Sequence, residues 1–377
     1  MRNCGLFLLL TFSVFCAAWL PQATAQTRRD KKDKEPKTQV LELLPSPPSA
    51  IIAETSRLEF SVAPITSQGL LSQQVRQGLK ALFKAHRHGR IVHLRAFVTG
   101  SGDTRRVRDV VAEVFTARKQ PIPALSLVQV GPLPVVGAQV VLESVAEVKK
   151  KVNPNGLAFL SGQAVASGEP VLDVAPLVKS SLAKIRYAAS GLGLTPSDVL
   201  RVTCYCSSLH DGSAVHREMA ENFPDAALNH LQLRRVYTRA SVTCEAVARL
   251  ARLPDDELDF INPEPLPHTQ DSSQVAVVGP TRIVLSGTQL GFEYQERDVR
   301  LALERLGKSI DGSGSSYRRV AMTRFYTLSN AISKSIRELR WDYLNRSKPP
   351  ANTLIELEGL PSLDASFAMD VIAVAGH

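Results

Sequence analysis

The amino-acid sequence predicts a mixed α/β protein, of the α+β kind, that is built from three similar units. The order strand, helix, strand, helix, strand, strand occurs three times along the chain. Each repeat is roughly 100 to 125 residues long, the size of a small domain. Turn residues near the end of the repeats also match, which periodicity alone would not produce.

The third repeat shows the pattern most clearly. Residues 282–287 and 320–328 are apolar runs typical of strands, and a Pro-rich segment (349–361) precedes a final apolar strand at 367–375. Two sets of apolar residues recur at helical spacing: Val299, Leu303, Leu306 and Ile310, then Ile332, Ile336, Leu339 and Tyr343.

The middle repeat follows the same order, and the first repeat follows it less regularly. The middle one has strands at 157–163, 199–206, 228–233 and 240–248, with helices on Val178, Leu182, Ile185 and Ala189 and on Val215, Met219 and Phe223. The first has strands at 57–61, 123–134 and 139–146, with helices on Val75, Leu79 and Leu82 and on Val107, Val111 and Val114.

Two side-chain positions recur in all three repeats. An aromatic residue on the middle strand falls at Phe97, Tyr205 and Phe325, and an acidic residue in the last strand falls at Glu143, Glu245 and Asp370.

Several motifs resemble those of one known family. Residues 349–361 read Pro-Pro-Ala-Asn-Thr-Leu-Ile-Glu-Leu-Glu-Gly-Leu-Pro, and 161–163 read Ser-Gly-Gln. These are similar to the RidA family (reactive intermediate deaminase, YjgF type), whose units carry Ser-Gly-Gln and a late Pro-Pro-Ala-Arg-Thr-Thr-Val signature. The resemblance covers residues 47–377 and implies a chorismate-mutase-like fold for each unit.

The resemblance also implies an assembly. Family members are typically homotrimers whose sheets face a shared centre, with ligand clefts between neighbouring subunits. Three fused units therefore suggest an intramolecular pseudo-trimer that is monomeric as a chain, because closed three-fold symmetry satisfies every interface. The alternative is three independent beads, each of which trimerises with other chains.

These observations divide the chain into six segments. Residues 1–25 are a predicted signal peptide and residues 26–46 a disordered, charged and Pro-rich tether. The three RidA-like units are predicted at 47–150, 151–254 and 273–377, with a linker at 255–272 between the second and third.

The family's arginine is missing from all three units. In the family that arginine of the Pro-Pro-Ala-Arg signature holds the substrate carboxylate, a task that suits the fork of a guanidinium. The matching positions here are Leu125, Leu228 and Asn352. The family's asparagine on the second helix is likewise replaced, by Arg108 in the first unit and His216 in the second.

The remaining candidate site residues follow from the resemblance. Glu143, Glu245 and Asp370 are the catalytic candidates, since the family's acid positions a water or a substrate amine; the alternative is that they only hydrogen-bond the backbone. The candidate ligand-binding residues are Asn352, Asp370, Ser161, Gly162, Gln163, Gly287 and Thr288. Asn352 keeps two donors, so the third unit is expected to retain the best pocket.

Three functions remain open on this basis. The first is a non-catalytic module that binds a small ligand or a protein, because a carboxylate without its arginine repels an anionic substrate. The second is an imine or enamine hydrolase acting on a substrate that lacks a carboxylate, with Asp370 or Glu245 orienting water and Asn352 binding substrate. The third is a structural part of an envelope assembly. No cofactor is expected.

The N-terminus predicts export to the periplasm or the medium. Arg2 precedes an apolar run from Leu6 to Leu20, and Ala23-Thr-Ala25 is a small-residue cleavage site. The apolar run is short for a membrane span, so a retained anchor is the less favoured alternative. No other stretch approaches spanning length.

Charge and cysteine content restrict the partners further. The formal net charge is +9, and residues 27–37 contribute +3 of it with six basic and three acidic residues. The positive surplus on the rest of the chain is therefore modest, and a nucleic-acid partner is not expected. Outside the signal peptide the cysteines are Cys204, Cys206 and Cys244. They allow one disulfide and one free thiol, or three buried thiols, and their spacing predicts no zinc site.

Overall fold

The computed structural model describes residues 44–100, 104–169, 171–267 and 270–376. Residues from Leu44 onward form one compact unit. The predicted signal peptide and most of the predicted tether lie outside the described residues. Within them, the fold is a mixed α+β arrangement of three sheets and six α-helices.

The helices and strands follow the predicted order along the chain, with four strands more than the three repeats of the pattern contain. The helices are α1 Leu71–Ala85, α2 Thr104–Ala117, α3 Ala175–Ser190, α4 Gly212–Asn222, α5 Glu296–Asp311 and α6 Asn330–Leu339. The strands are β1 Ala50–Glu54, β2 Leu58–Val62, β3 Gly89–Thr99, β4 Ala124–Val130, β5 Val140–Val148, β6 Leu157–Ala166, β7 Val199–Cys206, β8 Ala227–Gln232, β9 Ser241–Arg249, β10 Leu258–Ile261, β11 Val275–Val278, β12 Arg282–Ser286, β13 Gln289–Phe292, β14 Val320–Thr327, β15 Ala351–Glu356 and β16 Ala365–Val374.

The strands form three sheets, and the central strands are paired in the same way in each sheet. Sheet 1 has the order β2-β5-β3-β4, sheet 2 the order β10-β11-β6-β9-β7-β8, and sheet 3 the order β1-β12-β16-β14-β15 with β13 also on β16. In each sheet, the middle strand of the repeat (β3, β7 or β14) pairs antiparallel with the last strand of that repeat (β5, β9 or β16). The same middle strand pairs parallel with the strand that directly precedes the last one in the chain (β4, β8 or β15). A parallel pair needs a crossover, and a helix (α2, α4 or α6) precedes each parallel strand.

The helices bury the apolar residues that the spacing predicts. On α5 the buried set includes Val299, Leu303, Leu306 and Ile310, and on α3 it includes Val178, Leu182, Ile185 and Ala189. Each sheet has its own apolar cluster against its two helices. Two further clusters draw residues from all three sheets, so both faces of the sheets are buried.

Two strands leave the sheet of their own repeat. β1 precedes β2 in the chain, yet it pairs antiparallel with β12, with Ala50 opposite Ser286. β11 precedes β12, yet it pairs antiparallel with β6, with Val275 opposite Leu160. β10, which falls in the predicted linker, extends sheet 2 by pairing with β11. Through β1 the first repeat contributes a strand to sheet 3, and through β11 the third repeat contributes a strand to sheet 2.

A glycine makes room for one of these exchanges. Gly156 has φ +96°, and a Cβ atom there would lie 2.1 Å from the carbonyl oxygen of Val278 at the end of β11. A residue with a side chain would therefore clash with the incoming strand as well as strain the backbone.

The strand register corrects one predicted correspondence. Arg95, Thr203 and Arg324 lie opposite Glu143, Glu245 and Asp370 respectively, so the three acids are equivalent, as predicted. The aromatic two residues further along is Phe97, Tyr205 and then Tyr326, not Phe325. Phe325 faces the helices of sheet 3, because consecutive strand residues alternate between the two faces.

The cysteines of the middle repeat adopt the arrangement with one disulfide. Cys204 and Cys244 are directly opposite each other on β7 and β9 and form a disulfide. Cys206 is a buried free thiol, and burial raises its pKa to about 12.

Candidate functional site

The three predicted acids lie in a buried cluster of charges between the sheets. Three arginines, which come from the middle strands, accompany them: Arg95 on β3, Arg201 on β7 and Arg324 on β14. Each of the six side chains is at most 3% exposed. Three positive and three negative charges balance, which burial requires because unpaired charges are costly in a low dielectric.

Arg95 lies at the centre of the cluster. Its Nε atom donates to Glu143 Oε2 at 2.7 Å, and Nη1 donates to Glu245 Oε1 at 2.6 Å. The same guanidinium donates to the hydroxyls of Tyr205 and Thr203, at 3.1 and 2.9 Å. One side chain from sheet 1 therefore holds two acids that belong to different sheets.

Arg324 links Glu245 to the third acid, Asp370. Its Nε atom is 2.9 and 3.1 Å from the two carboxylate oxygens of Glu245, and Nη1 donates to Asp370 at 3.2 Å. Asp370 also accepts hydrogen bonds from Ser126 at 2.8 Å and from Tyr326 at 3.1 Å. The carboxylate thus has partners on sheet 1 and sheet 3.

Arg201 is held more loosely. Its terminal nitrogens are 3.7 Å from Glu143 and 3.8 Å from Glu245, and its Nε atom has no hydrogen-bond partner. Burial and the nearby Arg95 lower its pKa to about 10, so Arg201 remains charged at neutral pH.

The arginines also determine the ionisation of Glu245 and Glu143. Burial by itself would raise the pKa of Glu245, but Arg324, Arg95 and Arg201 together lower it well below its usual range. Glu143 shows the same opposition, and its pKa is lowered as well. A carboxylate with a strongly lowered pKa is a poor general base near neutral pH. The cluster is therefore suited to holding the sheets together.

The three positions of the missing arginine are equivalent in register. Leu125, Leu228 and Asn352 each pair with the residue that comes directly before Arg95, Thr203 and Arg324 on the neighbouring strand. Leu125 is buried, whereas Leu228 and Asn352 are partly exposed. No basic residue lies at any of the three positions.

Several predicted ligand-binding residues instead join neighbouring sheets. Ser161 Oγ accepts from the backbone N–H of Asn352 at 2.8 Å, and Gln163 Nε2 donates to Gln274 at 2.7 Å. Gly162 faces Thr353, and a Cβ atom there would lie 3.1 Å from its hydroxyl. The contacts of Ser161 and Gly162 connect sheets 2 and 3, whereas Gln274 directly precedes β11, a strand of the third repeat that belongs to sheet 2. The side chain of Asn352 accepts a hydrogen bond from Thr323 at 2.9 Å.

Gly287 and Thr288 form the equivalent joint between sheets 3 and 1. The backbone N–H of Leu127 donates to Thr288 Oγ1 at 2.9 Å. A Cβ atom on Gly287 would lie 2.8 Å from the carbonyl oxygen of Leu125, so this close approach needs glycine. A cavity of about 240 Å³ beside this joint is lined by Leu125, Thr288 and Arg108.

A large cavity lies at the junction of sheets 1 and 2, beside Leu228. Its volume is about 1300 Å³. One wall comes from β2 and α1, with Phe60, Val62 and Leu82, and the other from β8 and α4. Leu228 of the second predicted unit lines this cavity, and Asn352 of the third does not.

Two histidines lie on the sheet 2 side of this cavity. His216 on α4 and His230 on β8 both line it, and their ring centroids are 5.6 Å apart. His230 is 7% exposed. Burial and then the neighbouring His216 lower the pKa of His230 to about 4, so its imidazole is neutral at neutral pH.

Sequence reasoning missed the arginines of the cluster. Arg95, Arg201 and Arg324 each interrupt an otherwise apolar strand, in Leu-Arg-Ala, Leu-Arg-Val and Thr-Arg-Phe. An arginine within a strand that is buried on both faces needs a buried partner. That signal was present, but which acid each arginine reaches depends on the packing of the three sheets.

Two further searches concern the described residues only. None of their helices combines the length and the apolar character needed to cross a membrane. They also contain no group of three or more His, Cys, Asp or Glu side chains that could hold a metal ion.

Comparison with solved structures finds proteins of the YjgF/Rid family. A Rid-family protein of unknown function from Yersinia pestis, named YyfB, is 16% identical; the match covers 32% of this chain and 99% of that one, with a TM-score of 0.28. A YjgF-family protein from Neisseria meningitidis is 12% identical over 27% of this chain and 85% of its own, at 0.24. A YjgF/YER057c/UK114-family protein from Mycobacterium tuberculosis is 17% identical over 25% and 79%, at 0.23.

Each of these matches covers about a quarter to a third of the chain. No protein-family model matches the sequence, and no curated protein matches it.

Proposed function

We propose that this protein is an exported, RidA-like pseudo-trimer that has no imine or enamine deaminase activity and binds a small ligand between its units. The observation that carries the proposal is the absence of a basic residue at Leu125, Leu228 and Asn352, together with the burial of the three acids. A substrate carboxylate would have no arginine to bind it, and no catalytic acid would be accessible to the substrate.

The strand exchanges support the pseudo-trimer over three independent beads. A bead would need its own complete sheet, yet sheet 3 takes its edge strand β1 from the first repeat and sheet 2 takes β11 from the third. The shared charge cluster supports the same conclusion, since Arg95 of sheet 1 binds Glu245 of sheet 2.

The cavity beside Leu228 supports a binding role. Its volume of about 1300 Å³ is ample for a small molecule, since ligand pockets typically measure roughly 300 to 1000 Å³. Its lining is mainly apolar with a few polar groups, the usual composition of such sites. An open cavity at this junction disfavours the envelope-assembly alternative, in which the clefts would be filled.

The hydrolase alternative is not favoured. It needs Asp370 or Glu245 to orient a water molecule, but both side chains are 1% exposed and bound to arginine. The predicted substrate group, Asn352, already uses its side-chain oxygen to accept from Thr323.

Export rests on the predicted signal peptide, and the disulfide between Cys204 and Cys244 agrees with it. Disulfides persist mainly in oxidising compartments such as the periplasm and the extracellular space. Fusing residues 1–46 to a reporter that is active only after export would test this part of the proposal.

The catalytic part of the proposal is tested by imine hydrolysis. The chain beginning at Gln26 is incubated with a 2-imino acid generated in place, beside an active RidA protein as positive control and the Asn352→Arg variant. We expect the native chain to match the rate of buffer alone. Turnover by the native chain would overturn the proposal, whereas turnover by the variant alone would show a cleft that lacks only its arginine.

A further inference from the structure

Two of the three sheets receive an exchanged strand along one edge, and sheet 1 does not. β1 covers β12 in sheet 3, and β11 covers β6 in sheet 2. The strand of sheet 1 at the equivalent place is β2, because Leu58, Ile283 and Leu157 each lie opposite the residue four positions after the acid of their sheet. In the part of the chain that the structure describes, β2 pairs with β5 alone. Sheet 1 therefore lacks a covering strand at this edge.

The second repeat has no strand to supply here. β1 and β11 each begin their repeat and come directly before β2 and β12 in the chain. The corresponding residues of the second repeat, 149–156, connect β5 to β6 and form no strand. Within this connection, Asn153 Nδ2 donates to the carbonyl oxygen of Leu58 at 2.8 Å. The connection therefore covers only the beginning of β2.

The free edge of β2 presents the backbone groups of Phe60 and Val62. Alternate residues of an antiparallel strand direct their N–H and C=O groups to opposite sides. The N–H of Ala63 donates to the carbonyl oxygen of Leu142 on β5, so Ser61 also faces β5, while Phe60 and Val62 face away from it. Within the described ranges, no backbone group pairs with these outward N–H and C=O groups.

The cavity beside Leu228 lies along this free edge. Residues 60–65 line one side of it, and Leu228 lines the other. At the junction of sheets 3 and 1, residues 47–49 lead into β1 and line the cavity beside Thr288, which measures only about 240 Å³. The junction of sheets 1 and 2 has no such lead-in segment, and its cavity measures about 1300 Å³. The larger cavity therefore offers the space that an exchanged strand and its lead-in segment would occupy.

One side chain helps to keep this junction open. Val62 is equivalent in register to Gly287, where a Cβ atom would lie 2.8 Å from the carbonyl oxygen of Leu125. A valine cannot make so close an approach. β2 therefore cannot approach Leu228 in the way that Gly287 approaches Leu125.

The strands at the two equivalent places show what kind of segment fits. They are short, run antiparallel to their neighbours and consist mainly of small and β-branched apolar residues, in Ala50–Glu54 and Val275–Val278. The cavity beside β2 is lined by apolar side chains as well, among them Leu82 and Leu228. Among the described residues, both strands of this composition are already used in sheets 3 and 2, so the segment must come from elsewhere.

From these observations we propose that β2 binds an extended, apolar peptide segment of a partner protein, which adds antiparallel to sheet 1 and hydrogen-bonds the backbone of Phe60 and Val62. This is recognition by strand addition, in which main-chain hydrogen bonds provide affinity and pockets for side chains provide specificity. The inference rests on the proposed binding role of this cavity and identifies the ligand as a peptide. Asn153 limits the added strand at Leu58, and the N-terminal part of the peptide runs through the cavity.

A peptide copied from the chain itself is the probe. It has the sequence of residues 272–279, which contain β11 and its lead-in, with a lysine added at each end for solubility. Binding to the chain that begins at Gln26 is measured by fluorescence anisotropy and by NMR-detected hydrogen exchange of the β2 amides. Short peptides lose conformational entropy when they bind, so titration extends to ~1 mM.

We expect the peptide to slow exchange of the Phe60 and Val62 amides by at least tenfold. Ser61, whose amide already faces β5, is the internal control. Without peptide, the Phe60 amide should exchange at least tenfold faster than those of Leu285 and Phe159, which face β1 and β11 at the equivalent position.

Two methylated peptides test the direction of the hydrogen bonds. In sheet 2, Gln274 accepts from the N–H of Ser161, so Ala276 directs its backbone groups towards β6 and Val277 directs them away. A peptide N-methylated at Ala276 should bind about tenfold more weakly, because it has lost a donor to β2. N-methylation at Val277 is the matched control and should weaken binding much less. Equal effects of the two methyl groups would overturn the inference.

The Val62→Pro variant tests the same contact from the side of the protein. Proline removes the outward N–H of an edge strand and leaves the hydrogen bonds of Ser61 to β5 in place. We expect the variant to bind the peptide about tenfold more weakly. If this variant fails to fold, the methylated peptides decide the matter on the native chain.

The other outcomes each contradict one part of the inference. Binding that does not protect Phe60 and Val62 would overturn strand addition and leave the cavity as a ligand site. Protection of both amides in the free chain from Gln26, but not in a chain from Leu44, would show that the predicted tether occupies the edge and not a partner. If the peptide does not bind, the inference fails, while the absence of deaminase activity is still judged by the imine assay.

Discussion

Arginines within the middle strands determine what the three acids can do. Glu143, Glu245 and Asp370 would be catalytic candidates if they faced a cleft with their charges free. Arg95 and Arg324 instead engage them in direct ion pairs at the centre of the protein. Because neither partner can be hydrated there, each depends on the other for its stability.

We expect Arg95→Met to lower the free energy of unfolding by about 3–5 kcal/mol, because it leaves the buried Glu143 without its main partner and the buried Glu245 without one of its two directly bonded arginines. Arg90 provides the matched control on the same strand. It pairs with Glu147 at 3.1 Å with its side chain 47% exposed, so Arg90→Met should cost at most about 1 kcal/mol. Denaturant unfolding of both variants measures the difference. Equal losses would show that the buried cluster contributes no more than a surface pair.

A buried histidine should make stability depend on pH. His93 lies beside Ser126, with Asp370, Arg324, Arg95 and Arg201 nearby. Burial, which outweighs the opposing effect of Asp370, lowers its pKa to about 4. The unfolded chain therefore binds a proton near pH 6.5 that the folded chain does not bind until about pH 4, so stability is lost as pH falls through this window.

We expect this loss to reach about 3 kcal/mol for His93 between pH 6.5 and pH 4. Urea unfolding at several pH values measures the free energy of unfolding. As the pH falls, this free energy should decline less steeply for His93→Gln than for the native chain, and the difference in slope should correspond to one bound proton. His88→Gln, at an exposed position, is the control. Parallel curves for the native chain and His93→Gln would contradict the assignment.

At the scale of elements, the exchanged strands explain how the repeats depend on one another. β1 covers the edge of β12, and β11 covers the edge of β6. An uncovered sheet edge exposes unpaired backbone groups and invites aggregation. The exchange therefore protects the sheets while it connects them.

Removing β1 should weaken sheet 3 selectively. We compare a chain that begins at Leu44 with one that begins at Thr55, by native-state hydrogen exchange. Amides of β12 should exchange at least tenfold faster in the shorter chain, because their neighbouring strand is gone. Amides of β6 remain covered by β11 and serve as the internal control. Unchanged protection of β12 would mean that β1 contributes little to the sheet.

At the scale of the whole molecule, the three sheets satisfy one another within one chain. Arg95 and Arg324 each bridge two acids, and apolar clusters combine residues of all three sheets. In the proposed pseudo-trimer, a closed arrangement of three units would leave no open interface of this kind for another chain.

We therefore expect the chain beginning at Gln26 to sediment as a single chain. Sedimentation velocity over a wide concentration range measures this, and an active single-unit RidA protein provides the trimeric reference. A species of three chains would support independent beads and would contradict the intramolecular pseudo-trimer.

The amino-acid sequence by itself determined the order of elements, the buried faces of the helices and the equivalence of Glu143, Glu245 and Asp370. These features depend on local spacing and turn residues, which a single repeat already contains. Its least accurate assignment among the matched positions was Phe325 in place of Tyr326, a shift of one residue that reverses the face of a strand.

Only the tertiary structure decided which strands pair and which side chains contact one another. The tertiary structure pairs β1 with β12 and β11 with β6, and it brings Arg95 and Arg324 into contact with the three acids. It also uses Ser161 and Thr288 as contacts between sheets and places a cavity of about 1300 Å³ beside Leu228. Contacts of this kind join residues that are often more than a hundred positions apart. They depend on how whole sheets pack, which no local pattern of residues encodes.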